Sequence, residues 1–263
     1  MLNEQEIALR EQLKGLDGGW VVVDFDDFKN FVLSGKEVLH EVVWQLKGDR
    51  LCYVSMDPAN VALLIQNIEI SSMSTHGDIR CGTDFDGFML EVNHRVLELF
   101  FTDLESSKEL TIRFHADGER ARITLDGGFG SVDFYANIPC EGWPKVPERE
   151  LSTKIKIGKD DFMSLVALAH KVAESVTLEV KDSHFNMRAN GDLLMNLQMP
   201  QSFAVAEASG PDAKAKFSIE YLKRVRLNSD IWTLSFANDM ILRIDDAEGN
   251  SFLLAPRVDN DMI

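Results

Sequence analysis

Apolar and polar residues alternate over short stretches along most of the chain, and the alternation is interrupted by segments with a longer period. Phe28, Phe31 and Val32, and again Phe162, Leu165, Val166 and Ala169, fall at i, i+3, i+4 and i+7 spacings. That is the period of a helix with one buried face. Both segments open alike, FDDFKNFVL at 25–33 and KDDFMSLVA at 159–167, so the Asp-Asp-Phe start returns 134 positions later. Aspartates favour the positive N-terminal end of a helix, which fixes the direction of each. A strand-like run precedes each helix, and further strand-like runs broken by turn residues such as Gly48-Asp49, Lys181-Asp182-Ser183 and Asn190-Gly191-Asp192 follow.

The second part of each half repeats the plan. FMLEVNHRVLELFFTDLESSKELTIRF (88–114) faces KFSIEYLKRVRLNSDIWTLSF (216–236), each reading as strand, helix, loop, strand. The four predicted helices occupy windows 28–40, 93–102, 159–171 and 219–227. ARITL and SVDFY alternate on either side of the glycine-rich DGGFG, the pattern of a hairpin turn. Helices of about ten residues among many alternating strands predict an α+β fold, with helices gathered on one side of antiparallel sheets. Between the halves, NIPCEGWPKVPERELS (137–152) holds three prolines and no steady period, and reads as a linker. The expected organisation is an N-terminal extension at 1–19, a domain at 20–137, a connecting loop at 138–150 and a second domain at 151–263. In the extension, Asn3 and Glu6 have capping-box spacing, and Ile7, Leu9, Leu13 and Leu16 form a weak apolar stripe.

Composition narrows the chemistry. With 263 residues and 45% hydrophobic content, the chain can bury a substantial core. No run approaches the roughly 18 apolar residues of a membrane span, and the N-terminus is too charged for a signal peptide, so an intracellular protein without membrane attachment is expected. Cys52, Cys81 and Cys140 are scattered without a CxxC pair and read as reduced, packed thiols. The histidines at 40, 76, 94, 115, 170 and 184 have no paired spacing, and no GxSxG is present. TDFDGF holds only a fragment of a calcium loop, and the carboxylates of IDDAEGN fall in a polar turn between strands. No catalytic or metal site and no cofactor are predicted. A net charge of −16 argues against nucleic acid if the charge is evenly spread, but it is not. The four helix windows hold eight Lys and Arg against five acidic residues, leaving −19 on the remainder.

SMDPANVALL (55–64) and FLLAPRV (252–258) carry a resemblance to DNA sliding clamps of the proliferating cell nuclear antigen family, FLLAPRV being closest to archaeal-type members. The resemblance spans about 20–258. It implies a duplicated clamp fold, two similar domains each with antiparallel sheets outside and two helices inside, and a ring of three subunits, here a homotrimer, around duplex DNA. It implies a non-enzymatic processivity factor in DNA replication and repair, cytoplasmic and DNA-associated, or nuclear in a eukaryotic source. Sliding requires attraction without base-specific bonds, which diffuse positive charge facing phosphates supplies. By position in the repeat, Lys29, Lys36, Arg95, Lys171, Lys223, Arg224 and Arg226 are the candidate DNA-facing residues.

The same resemblance implies a pocket beside the linker for short peptide motifs of DNA polymerase, clamp loader, ligase and nucleases. Its matching positions are Met56, Val61, Leu63, Val146, Leu253, Leu254, Ala255 and Pro256, while Trp143 is an addition without a place in the pattern. The subunit interface would pair edge strands near 131–137 and 193–199. HRVLELFF (94–101) and DDFMSLVALAHK (160–171) depart from the family by being poor in charge. That departure keeps open a specialised or checkpoint-type subunit of a heterotrimer. From another class, a carboxylate–metal hydrolase would require clustered Asp, Glu or His.

Overall fold

Local chemistry sets the first strand-to-helix junction. Asp24 has extended backbone, and its carboxylate accepts hydrogen bonds from the N–H groups of Asp26 (2.9 Å) and Asp27 (3.0 Å), so it is the N-cap of α1 (Phe25–Ser34). Phe25, Phe28, Phe31 and Val32 are completely buried on one face of that helix. The computed structural model describes residues 19–35, 41–47, 50–69, 88–102, 104, 109–117, 120–137, 145–190, 194–198 and 207–257. The chain divides into two units, Met1–Met56 with Ile65–Lys145, and Asp57–Leu64 with Val146–Ile263. Short segment 57–64 therefore groups with the second unit.

In the first unit, β1 (Gly19–Asp24), β6 (Glu109–Asp117), β7 (Arg120–Gly127) and β8 (Gly130–Ala136) form an antiparallel sheet in the order β1-β6-β7-β8. β2 (Glu41–Lys47), β3 (Arg50–Met56), β4 (Ala62–Glu69) and β5 (Phe88–Asn93) follow the order β4-β3-β2-β5. DGGFG makes the β7–β8 turn as predicted, with Gly127 opposite Gly130 and Gly130 at φ 108°, a conformation open to glycine. α1 and α2 (His94–Thr102) pack through aromatic contacts, Phe28 to Phe101 at 5.3 Å and Phe25 to Phe101 at 5.7 Å between ring centroids.

A polar cluster lies buried beneath these helices. Trp44 Nε1–H donates to His94 Nε2 at 2.9 Å, so the ring proton of neutral His94 sits on Nδ1, which has no hydrogen-bond partner. Burial pushes the His94 pKa down to about 3, because a charged imidazolium there would lose its hydration. Ser34 Oγ donates to Phe31 O at 2.8 Å and lies 2.8 Å from the Tyr53 hydroxyl, whose pKa burial pushes up.

In the second unit, β12 (Leu194–Gln198), β11 (His184–Asn190), β10 (Ser175–Lys181) and β14 (Ala213–Ser218) form one antiparallel sheet in that order. β13 (Glu207–Ser209), β9 (Thr153–Gly158), β15 (Ile231–Phe236), β16 (Leu242–Asp245) and β17 (Ser251–Leu254) follow in sequence across another. Every second residue of β9 and β10 is buried, as period-two patterning requires for a sheet with one face inward. α3 (Lys159–His170) buries Phe162, Leu165, Val166 and Ala169, the predicted face. Gly210, at φ 97°, approaches Ser152 so closely that a Cβ there would lie 2.1 Å from the Ser152 carbonyl oxygen. Beside it, Thr153 Oγ1 donates to Pro211 O at 2.6 Å.

Two helix windows need correction. α1 begins at Phe25 and ends at Ser34, with Gly35 as its C-cap, while 36–40 of the expected window lie outside the described residues. The fourth helix, expected over 219–227, is the single turn α4 (Ile219–Leu222). Beyond it the N–H groups of Arg224 and Val225 bond three residues back, to Tyr221 and Leu222. Val225 and Leu227 are buried and Arg226 is exposed between them, a period-two demand that a continuing helix cannot meet. The predicted extension, Trp143, Cys81, Cys140 and the calcium-loop fragment through Gly87 fall outside the described residues, apart from Gly19 at the end of the extension.

Candidate functional site

The second unit gathers cations at the ends of α3 and α4. Lys223 Nζ lies 3.1 Å from His170 Nε2, in the last turn of α3, and Lys171 is the C-cap of that helix. Cations are favoured at this negative helix end. Arg224 pairs with Glu220 at 2.9 Å, and Lys223 reaches the same carboxylate at 3.6 Å. The hydrogen bond from Arg224 and the nearby Lys223 charge hold the Glu220 carboxyl below its ordinary value. Arg226 folds back, donating to the carbonyls of Lys223 and Val225 at 2.9 Å each. Lys171, Lys223, Arg224 and Arg226, with His170, thus cluster where α3 ends and α4 follows, and Glu220 pairs with Lys223 and Arg224 there.

Residues 57–62 form a turn organised by one carboxylate. Asp57 Oδ1 accepts from Val61 N–H (2.6 Å) and Ala62 N–H (2.7 Å), and Oδ2 from Ala59 N–H (3.3 Å). Asn60 takes a positive φ of 57°, which asparagine tolerates better than most residues. The Tyr221 hydroxyl, at the far end of the sequence, donates to Oδ2 at 2.8 Å. Burial pushes the Asp57 carboxyl up, but the bonds from Ala62, Tyr221, Val61 and Ala59 outweigh it and hold the carboxyl below its ordinary value. Tyr221 is shifted up, first by its bond to Asp57 and then by burial. Arg224 stands 5.5 Å over the Tyr221 ring. Val61 in turn offers its carbonyl to Ala255 N–H at 2.8 Å, tying the turn to the residues after β17.

A cleft of about 500 Å³ runs along the linker, lined by Val146–Leu151 with Ile241 and Arg243. Arg243 lies opposite Leu253 in the β16–β17 register, so the two share a face of the sheet. Its guanidinium is held by Asp245 at 2.8 and 3.0 Å.

No family model matches the chain. It is 26% identical over 245 residues to a DNA polymerase sliding clamp of Methanosarcina barkeri, covering 89% of this chain and 96% of that protein. With the sliding clamp of Archaeoglobus fulgidus the identity is 25% over 222 residues, covering 79% and 85%. A solved structure of A. fulgidus PCNA, with the C-terminal region of FEN-1 bound, superposes with a TM-score of 0.76 at 20% identity, over 92% of this chain and 100% of the other. A PCNA2–PCNA3 complex from Sulfolobus tokodaii gives 0.71 at 18% identity, over 90% and 99%. Over most of its length, then, this chain is similar to archaeal DNA polymerase sliding clamps, and it shares their fold.

In this chain the predicted DNA-facing residues divide. Lys171, Lys223, Arg224 and Arg226 come together in the corner described, whereas exposed Arg95 stands on α2, in the other unit. Lys29 Nζ donates to Leu104 O at 2.8 Å and braces α1 against the chain leaving α2. Lys36 lies outside the described residues. Of the residues predicted for the pocket, Val61, Ala255, Pro256 and Val146 are half-buried, and Met56, in the first unit, is exposed at the end of β3. Leu63, Leu253 and Leu254 are buried, Leu254 completely.

Sequence reasoning did not select Asp57, Tyr221, Ile241 or Arg243. An Asp-Pro-Ala-Asn stretch is a legible turn signal, so Asp57 could have been found as its organiser. Nothing local marks Tyr221 as its partner, 164 residues away. Among the described residues, no helix is long and apolar enough to cross a membrane. The IDDAEGN turn uses the Asp246 carboxylate for its own closure, accepting from the N–H groups of Glu248 and Asn250 at 2.9 Å each.

Proposed function

We propose that this chain is a sliding clamp, acting as a ring of three copies around duplex DNA, without catalytic activity of its own, and holding DNA enzymes by short peptide segments. The observation that carries the reading is the position of two strands at sheet ends. Among the described residues β8 ends one four-stranded sheet, at the side opposite β1, and β12 ends another, at the side opposite β14. Unpaired strand edges invite partners, and a head-to-tail pairing of one edge with the other generates a closed ring when the rotation between subunits fits. Lys171, Lys223, Arg224 and Arg226, together with Arg95, Lys29 and Lys36, would supply sequence-independent attraction to phosphates. The net-negative remainder of the chain would keep DNA off the outside. Peptide anchors would be taken by Val61, Ala255, Pro256 and Val146, with Leu63, Leu253 and Leu254 supporting the same site from the core of the second unit. The domains would run 20–137 and 151–263 about the connecting loop, and the protein would be found on DNA.

A heterotrimeric ring is the second reading, favoured by Val96 and Leu99. These residues are 54% and 72% exposed on α2, where a DNA-facing helix has use for cations. The relative from S. tokodaii is a complex of two different PCNA chains. Absolute mass by light scattering decides between the two. A homotrimer weighs three times 29.6 kDa, whereas a strictly monomeric mass at micromolar concentration overturns it in favour of the mixed ring.

A further inference from the structure

We infer that Tyr221 is a positioning residue for peptide binding: its hydrogen bond to Asp57 sets the shape of the 57–62 turn and makes that shape depend on Arg224, in the basic corner. The inference rests on the peptide-site reading above, which places Val61 and Ala255 in the binding surface.

The argument begins with the duties of one carboxylate. Asp57 is only 6% exposed, so water cannot readily replace a lost partner. Its Oδ1 fixes Val61 and Ala62 through their N–H groups. Oδ2 has two hydrogen bonds, a long one from Ala59 at 3.3 Å and a short one from the Tyr221 hydroxyl at 2.8 Å. Without the hydroxyl, a buried charge would keep one poor partner on that oxygen, and the carboxylate would turn to improve it. Turning displaces Oδ1 and with it the Val61 N–H. Val61 also holds Ala255 through its carbonyl, so the movement reaches the C-terminal side of the peptide site.

The other end of the link is Arg224. Its guanidinium stands over the tyrosine ring, where a cation polarises the phenol and makes it a stronger donor to Asp57. Glu220 is its salt-bridge partner on the solvent side, an exposed pair of the kind that holds loosely. The contacts from Glu220 through Arg224 and Tyr221 to Asp57, Val61 and Ala255 form a continuous physical chain within the second unit. Tyr221 is its only member that touches both the cation and the turn.

The test measures binding of a synthetic peptide of the FEN-1 C-terminal region to the full-length clamp by calorimetry. Circular dichroism and light scattering check that each variant keeps its fold and mass. Tyr221→Phe, which keeps the ring and removes the hydroxyl, is expected to weaken binding roughly tenfold. Arg224→Gln should weaken it about two- to threefold, the size of an exposed cation–π contact. The double variant should bind no worse than Tyr221→Phe, because the arginine acts through the hydroxyl. A residue that merely stabilised the fold would give losses that add. Val61→Glu serves as the control, since a charge at an apolar anchor should abolish binding. If Val61→Glu abolishes binding while Tyr221→Phe binds like the unaltered chain, or the two losses add, the inference is overturned and the peptide site stands. If Val61→Glu binds normally, the peptide-site reading fails and the inference falls with it.

Discussion

The two units share a topology and differ in what fills and covers it. In the first, rings touch one another around α1: Phe28 contacts Phe31, Trp44 and Phe101, and Phe31 contacts Trp44, Tyr53 and His94. In the second, α3 offers one such contact among the described residues, Phe162 to Trp232, and otherwise packs aliphatic side chains. The surfaces differ the other way. α2 exposes Val96 and Leu99, whereas the second unit exposes or half-exposes Lys171, Lys223, Arg224 and Arg226. A duplicated scaffold needs only matching patterns of burial, so core volume and surface charge can drift apart between the copies. In this chain they have drifted enough to concentrate aromatic packing in one copy and cations in the other.

The largest test of that difference is in the cores. Phe31→Ala should cost about 3–5 kcal/mol, since its ring leaves a cavity among rigid neighbours. Val166→Ala, on the equivalent face of α3, removes less and should cost no more than about 2–3 kcal/mol. Urea denaturation of the two variants makes the comparison, and equal losses would show that the aromatic cluster adds nothing special.

Acid should expose the next difference, because only the first unit buries a neutral histidine beneath its helices. His94 has a folded pKa of about 3 against an ordinary value of 6.5, so the unfolded chain binds the extra proton first. Its contribution is intact above about pH 6.5 and declines as pH falls toward 3, by about 1.4 kcal/mol for each unit. His94→Gln, which can still accept from Trp44, should flatten the fall of melting temperature between pH 6.5 and 4.5. An unchanged acid profile would place the sensitivity elsewhere.

Charge gives the smallest but most specific contrast. Replacing Lys223, Arg224 and Arg226 by serine should reduce the slope of log affinity for duplex DNA against log salt by roughly 0.9 for each lost phosphate contact. Adding cations to the first unit with Val96→Lys and Leu99→Lys should steepen it by a similar amount per residue. Filter binding over a salt series reads both. A triple variant with an unchanged slope would remove these side chains from the DNA surface.

How much of this was legible in the sequence depends on range. The helical face of Phe28, Phe31 and Val32, the Asp-rich helix starts and the DGGFG hairpin are local patterns, and each appears where it was read. The fourth helix fails for a reason also written locally. Two residues separate Leu222 from Val225-Arg226-Leu227, whose alternation ends the helix-like pattern of Ile219-Glu220-Tyr221-Leu222. The site was harder. An apolar FLL reads the same whether it anchors a peptide or a core, and only the structure separates buried Leu254 from half-buried Pro256. The Asp57–Tyr221 bond is a fact of tertiary closure, which no spacing along the chain encodes.

Gly210 has a consequence for reading variation in this chain. Its positive φ, and a carbonyl oxygen 2.1 Å from where a Cβ would stand, leave room for hydrogen alone. In a saturation mutagenesis experiment selected on replication, position 210 should therefore tolerate no substitution, as sharply as a binding residue would. Exposed Ser209 and Asp212, which flank it at one and two residues' distance, should accept many. Tolerance maps of this chain will thus contain a dark spot that marks chain clearance and no ligand, and its isolation along the sequence is the sign by which to recognise it.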